Sequence, residues 1–339
     1  MDDGETGIDV CGVTADITKH DAKTEHGAQA EESMDIDDDL EGSETDAKLL
    51  ERLRLKRSQE NKTPDIITVS QSEECYDMTH KYRGYALLMN NERFGRRLKE
   101  IGLGDRAGSN IDERNLRREL TDLGFTVKLM IDRSAQSMKN ACYEMAAKNH
   151  SQVDCFVCII LSHGDEGVVY GTDTTIEIKE LVKPFKGDMC PSLIGKPKLF
   201  IIQACRGSQT DPGVSIDVTD AKGKAPSDDK MPVDEPQVIK LPIEADFLFA
   251  YSTVPGFYSW RNGMNGSWFI QALCQTLKEH GTKMEFRKIL TRVNKIVAQN
   301  FQSNNPDNED FHMMKQIPCI TYMLTKDLYF NTKKTKRLF

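Results

Sequence analysis

The 339-residue chain has no apolar run approaching the roughly 18 residues needed to span a bilayer. Residues 1–30 also lack the basic-then-apolar succession of a secretory signal. The two absences argue against an integral or exported protein and predict a cytoplasmic one with no membrane partner. The nine cysteines are odd in number and scattered from Cys11 to Cys319, which fits reduced thiols better than a disulfide framework. No cluster of His and Cys offers metal ligands. Gly102-Leu103-Gly104 lacks both a preceding strand and the third glycine of a dinucleotide loop. Neither a metal nor an organic cofactor is expected, and nucleic acid is not an expected partner.

Aromatic residues are missing altogether from residues 1–46, which carry sixteen Asp/Glu against two Lys. That stretch has a formal charge of −14, which leaves +6 of the overall −8 for the rest of the chain. Such a composition cannot bury enough apolar surface to fold, so 1–46 reads as an acidic, disordered pro-segment. The basic run from Lys48 to Lys62 reads as a solvated linker or helix face.

From Tyr82 onward, strand-like and helix-like patterns alternate, which favours βαβ units and a mainly parallel sheet with helices on both faces. Strands are expected at 85–90, 125–131, 155–161, 199–203, 247–253 and 319–324. Ile111, Leu116, Leu120 and Leu123 form one helical stripe, closed by Gly124. Ser134 is placed to cap a second helix that buries Met138, Ala141, Cys142 and Met145. Two more helices are expected at 267–280 and 284–301. Residues 208–240 interrupt the pattern with four prolines and few large apolar side chains, an insert too long to be structureless without a function.

Two of the expected strands end on reactive residues. Leu199-Phe200-Ile201-Ile202 leads into Gln203-Ala204-Cys205-Arg206-Gly207, and the run 155–161 leads into Ser162-His163-Gly164-Asp165. A thiol attacks a carbonyl carbon as thiolate, so Cys205 needs a base, and His163 is the candidate. A poised imidazole would then act as general acid toward a leaving amine near neutral pH. The backbone amides of Gly164 and Cys205 are placed in sequence to donate to an oxyanion. Taken singly, such a Cys or His is usually structural. The pentapeptide around Cys205 changes that reading, because it fits the Gln-Ala-Cys-[Arg/Gln/Gly]-Gly signature with a histidine some distance upstream, here 42 residues. A tyrosine-phosphatase loop would need Arg six positions after the cysteine, where this chain has Asp211.

The chain resembles the caspase family, and within it the executioner type, over about residues 80–330. The resemblance rests on Leu161-Ser162-His163-Gly164, Lys196-Pro197-Lys198-Leu199-Phe200, the Cys205 pentapeptide, Ala245-Asp246-Phe247, Tyr251-Ser252-Thr253, Tyr258-Ser259-Trp260-Arg261-Asn262, Gly266-Ser267-Trp268 and Lys315-Gln316-Ile317-Pro318-Cys319. It implies a three-layer α/β/α fold around a mostly parallel six-stranded sheet. It also implies an endopeptidase cutting after aspartate with an Asp-x-x-Asp preference, made as a zymogen and serving apoptosis. Catalysis would fall to Cys205 and His163, with Gly164 at the oxyanion. Arg106, Arg261 and Gln203 would line the primary pocket, where two guanidinium forks suit one carboxylate. Tyr258 and Trp260 would shape the second subsite, Asn262 and Trp268 would border the fourth, and Ser259 and Arg261 would pair with the peptide backbone. Family members often carry aromatics in the loop before Lys315, whereas this chain has Ser303-Asn304-Asn305-Pro306-Asp307.

Asp217-Val218-Thr219-Asp220 before Ala221 looks like a self-recognition site, with Asp234 a second cut and Asp46 or Asp35 releasing the pro-segment. The expected division is therefore a pro-segment at 1–46, a large subunit at 47–220, a linker at 221–234 and a small subunit at 235–339. Forty-six residues are too few for an adaptor-binding domain, so an upstream activating caspase is the expected trigger, and a homodimer of cleaved protomers the expected assembly. The alternative is a catalytically inactive homologue acting as a dimerising interaction protein.

Overall fold

The structure is a computed structural model that describes residues 74–214 and 241–333. Strand β1 (Tyr82–Asn90) is followed by helix α1 (Ser109–Asp122), strand β2 (Thr126–Ile131), helix α2 (Ala135–Ala146) and strand β3 (Val153–Leu161). Strands β4 (Lys198–Gln203) and β5 (Phe247–Tyr251) come next, then helices α3 (Trp268–His280) and α4 (Phe286–Asn300) and strand β6 (Cys319–Tyr322). The six strands form one sheet in the order β6-β5-β4-β3-β1-β2, parallel except for β6, which runs antiparallel against β5. The α/β/α expectation holds.

The central strands explain why the sequence reads as continuous apolar runs. All nine residues of β3 are buried, as expected for a parallel strand covered on both faces. Alternate residues go to opposite layers. Cys155, Val157, Ile159 and Leu161 pack with Leu116 and Leu120 of α1, Leu273 of α3 and Val293 of α4. Phe156, Cys158 and Ile160 pack with Met138, Ala141 and Met145 of α2. Each fully buried Leu or Ile contributes about 1.5–3 kcal/mol relative to exposure. The predicted cap of α2 is present, with Ser134 Oγ accepting from the Ser137 amide at 3.2 Å. Both edge-side strands are shorter than expected. β5 ends at Tyr251, because Ser252 Oγ turns back to bond the Ala204 carbonyl at 3.0 Å, and β6 ends at Tyr322.

Asp246 explains the Ala245-Asp246-Phe247 motif. It enters β5 in a left-handed conformation (φ 68°), which short polar residues tolerate best. Its carboxylate accepts from Tyr76 Oη at 2.6 Å and Thr325 Oγ1 at 2.7 Å. The segment before β1 and the segment after β6 are thereby tied to the start of β5.

Candidate active site

β2 and β3 flank β1 on opposite sides, so strand order reverses there, and open α/β sheets bind ligands outside the carboxyl ends of the strands at such a switch. Register brings the reactive residues to one level. Leu161 pairs with Gln203, and His163 and Cys205 each leave the sheet two residues later. Cys205, His163, Arg106, Gln203, Ser259 and Arg261, together with Ser162 and Ala204, line one narrow cavity of about 20 Å³. A roomier cavity of about 470 Å³, lined in part by Arg206, Phe249, Tyr251 and Met323, holds neither Cys205 nor His163. The candidate pair therefore lies apart from the larger cavity.

Two glycines are required by close approach. A Cβ on Gly164 would lie 2.8 Å from both the Ala204 Cβ and the Cys205 carbonyl oxygen, so the backbones after β3 and β4 nearly touch. Gly207 (φ 145°) crosses Gly256, where a Cβ would sit 2.4 Å from the Gly256 carbonyl. The pentapeptide's final glycine is fixed by that crossing, and Arg206 within it stacks over the Tyr251 ring at 4.2 Å and pairs with Glu166 at 3.0 Å.

His163 is 3 % exposed, with the Phe94 ring 4.6 Å away. Its Nε2 lies 2.7 Å from the Gly104 carbonyl oxygen. A carbonyl only accepts, so Nε2 carries the hydrogen and Nδ1 is the basic nitrogen. Burial, then the Arg106 guanidinium, push this imidazole down to about 3, against smaller upward pulls from the Gly104 carbonyl and Asp105. The direction is away from a ring poised near neutral pH: burial and Arg106 favour the neutral imidazole.

The guanidinium of Arg106 is held by the Asn91 carbonyl at 3.2 Å and Ser109 Oγ at 2.7 Å, and Ser109 donates in turn to Asn90 Oδ1 at 2.5 Å. Arg261 Nε donates to the Ala107 carbonyl at 2.7 Å. Gln203 Nε2 donates to Ser259 Oγ at 2.7 Å.

Beside this cavity is an aromatic cluster. Trp260 stacks on Trp268 with centroids 5.6 Å apart and lies 6.4 Å from Tyr258, and Trp268 stacks on Phe301 at 5.5 Å. Gln316, in the Lys-Gln-Ile-Pro-Cys motif, bridges it to the sheet by accepting from the Trp260 amide at 2.6 Å and donating to the Ser252 carbonyl at 2.7 Å. Asn262 Oδ1 is engaged within its own turn, by the amides of Met264 and Asn265. The loop before Lys315 is not without an aromatic, as its first residues suggested. Phe311 packs edge-on to Tyr258 at 5.7 Å and Trp260 at 6.0 Å. Gly104, Phe94 and Phe311 were missed because a backbone carbonyl has no sequence signature and two lone phenylalanines read as core. Asp220, Asp234, Asp46 and Asp35 lie outside the described residues.

Residues 83–329 match the Caspase domain family. The chain belongs to the caspase family. It is 49% identical over 255 residues to caspase-7 of Gallus gallus, a match covering 75% of this chain and 79% of that protein. It is 43% identical over 294 residues to caspase-3 of Oryctolagus cuniculus, covering 86% of this chain and 99% of that one. Among solved structures it superposes on caspase-1 from Spodoptera frugiperda with a TM-score of 0.70 and 39% identity, over 78% of this chain and 98% of that chain. Membership, with caspase-3 and caspase-7 as relatives, makes it an executioner-type, aspartate-specific cysteine protease with a role in apoptosis, acting on protein substrates and forming a dimer. No helix among the described residues is long and apolar enough to cross a membrane.

Proposed function

We propose that the cavity at the ends of β3 and β4 is the peptidase centre of this caspase and that it cuts Asp-x-x-Asp sequences. One observation carries the reading: a cysteine, a histidine and two arginines line the same cleft. Cys205 Sγ attacks the scissile carbonyl carbon while its proton passes to His163 Nδ1. The amides of Gly164 and Cys205 stabilise the oxyanion. His163 then returns the proton to the departing amine as the carbon–nitrogen bond breaks, and water hydrolyses the thioester with His163 as base.

Arg106, Arg261 and Gln203 hold the aspartate carboxylate. A neutral side chain there brings no charge to the two guanidiniums that face it, at a cost of several kcal/mol relative to aspartate. Tyr258 and Trp260, with Phe311, form the second subsite. Asn262 and Trp268 border the fourth, and Ser259 and Arg261 pair with the peptide backbone. Tetrapeptides ending in Asp, Glu and Asn test the pocket: only the first is turned over well, and comparable turnover of all three refutes the arginine assignment.

The chain is a cytoplasmic zymogen in this reading, cut after Asp220 and Asp234 between a large subunit (47–220) and a small one (235–339). A cut after Asp46 releases residues 1–46, or one after Asp35 releases residues 1–35, and an upstream caspase starts the process. Mass analysis with and without Cys205→Ala tests self-processing, and identical fragments reject it. β6 is the sheet's terminal strand, and unpaired edges invite a second strand, which supports pairing of β6 across a twofold axis in a homodimer.

A further inference from the structure

Arg261 lies in a short hairpin, Arg261–Asn262 paired with Gly266–Ser267, well away in sequence from Arg106. A buried carboxylate in the first turn of α1 joins the helix that follows Arg106 to this hairpin. Asp112 is 1 % exposed. Its Oδ1 accepts from the Ser267 amide at 2.9 Å, and its Oδ2 accepts from that amide at 3.1 Å and from Ser267 Oγ at 2.5 Å. Ser267 precedes α3 but makes no side-chain cap to it, so its hydroxyl is committed to Asp112 instead. In the hairpin ladder the residue directly opposite Ser267 is Arg261.

Two further crossings join the same segments. Arg261 Nε donates to the Ala107 carbonyl, and Gly108 (φ 84°) passes so close to Asn262 that a Cβ would lie 2.6 Å from the Asn262 carbonyl oxygen. Gly266 (φ 87°) leaves no room at the carboxylate itself, since a Cβ there would stand 2.2 Å from Asp112 Oδ1.

We infer that Asp112 is a positioning residue for substrate selection: by gripping Ser267 it registers the hairpin that carries Arg261 against the helix that follows Arg106, and so fixes the width of the aspartate pocket. This rests on the pocket proposed above and names what sets its geometry. The charge supports it. Asp112 feels both Arg106 and Arg261, so one buried negative charge offsets two like-charged guanidiniums before any substrate carboxylate arrives. Asp112 and Ser267 also fall on opposite sides of residues 215–240, so cleavage within that segment turns their contact into one between two chains.

Arg261 would meet the substrate side chain and not the reacting carbonyl, and an Asp substrate still brings its carboxylate to Arg106 beside His163, so loss of Arg261's registration acts chiefly on binding. The experiment compares Asp112→Asn, Ser267→Ala and the double variant, each normalised by titration of reactive Cys205, on tetrapeptides ending in Asp and in Glu. Asp112→Asn is expected to raise KM for the Asp peptide about ten- to hundredfold, the range for a buried charged hydrogen bond, with kcat within about threefold. The preference for Asp over Glu falls with it. Ser267→Ala moves both in the same direction by less, and the double variant is less than additive because the two residues share one interaction. A lowered kcat at unchanged KM, or a lowered melting temperature with unchanged kinetics, overturns the inference. If Asp112→Asn fails to fold, Ser267→Ala decides alone, and an unchanged KM and preference overturn it. Arg261→Lys separates the two readings. If it keeps the Asp preference, the pocket assignment itself fails; if it loses the preference while Asp112→Asn does not, only the positioning role fails.

Discussion

The proton state of His163 offers the most direct check on the chemistry. Burial and the neighbouring Arg106 push the imidazole from its ordinary 6.5 to about 3. At 1.36 kcal/mol per pH unit this disfavours the imidazolium by on the order of 5 kcal/mol, for a ring only 3 % exposed. An ordinary histidine is half protonated at about pH 6.5, whereas His163 would carry a proton in fewer than about one molecule in a thousand. The imidazole is then neutral before attack, free to take the proton as sulfur attacks. The assay is NMR of the histidine rings, with His163 picked out among seven histidines by the signal lost in His163→Gln. Between about pH 5 and 8 its shifts should stay flat while exposed rings titrate. A tetrapeptide ending in Asp should raise the ring's proton affinity by offsetting Arg106 and Arg261; one ending in Asn should not. A midpoint near 6.5 in the free protein refutes the argument, as does an equal response to the two peptides. The linkage sign is fixed: the folded pKa lies below the unfolded one, so this group's contribution to stability is lost as pH falls below about 6.5.

Other consequences follow from burial. Gly164→Ala drives a Cβ to 2.8 Å from the Ala204 Cβ and the Cys205 carbonyl, and is expected to lower kcat about a hundredfold and to lower the melting temperature as the backbones after β3 and β4 are pushed apart. Asp154 receives Arg83 at 3.0 Å and also Lys333, so Asp154→Asn strands a buried cation and should cost about 3–5 kcal/mol in denaturant unfolding. Asp112 has its pKa raised to about 6 by burial, above its unfolded value, so its contribution to stability is lost as pH rises from about 4 to 6; Asp112→Asn should remove that slope. Phe311→Ala removes the edge contacts to Tyr258 and Trp260 and should raise KM several-fold for peptides with a bulky apolar second residue, with kcat little changed.

The layers were legible because parallel strands buried on both faces leave nearly unbroken apolar runs, and β3 and β4 are such runs. Cys205 and His163 were legible because each directly follows one. The partners that tune them were not, since each acts through something a pattern search does not see. Gly104 contributes a carbonyl, and it sits in a glycine pair that suggested only a failed nucleotide loop. Asp112 lies in a helix whose apolar stripe points to Leu116 and Leu120; nothing in that periodicity says that a first-turn carboxylate is buried against a hairpin more than 150 residues away. Ser267 was legible as a helix start, yet its hydroxyl serves Asp112 and not its own helix.

The proposed pocket also gives the arginines a role beyond affinity. Arg106 and Arg261 share the cavity with His163 and both lower its proton affinity. In the proposed pocket a substrate aspartate would offset their charge and so return basicity to the imidazole as the proposed proton transfer from Cys205 begins. A substrate with a neutral side chain would suffer twice, once through the lost ion pairing with the guanidiniums and once through a base still held weak. Discrimination should therefore appear in kcat as well as in KM. A pocket that only bound aspartate, without coupling to His163, would confine it to KM.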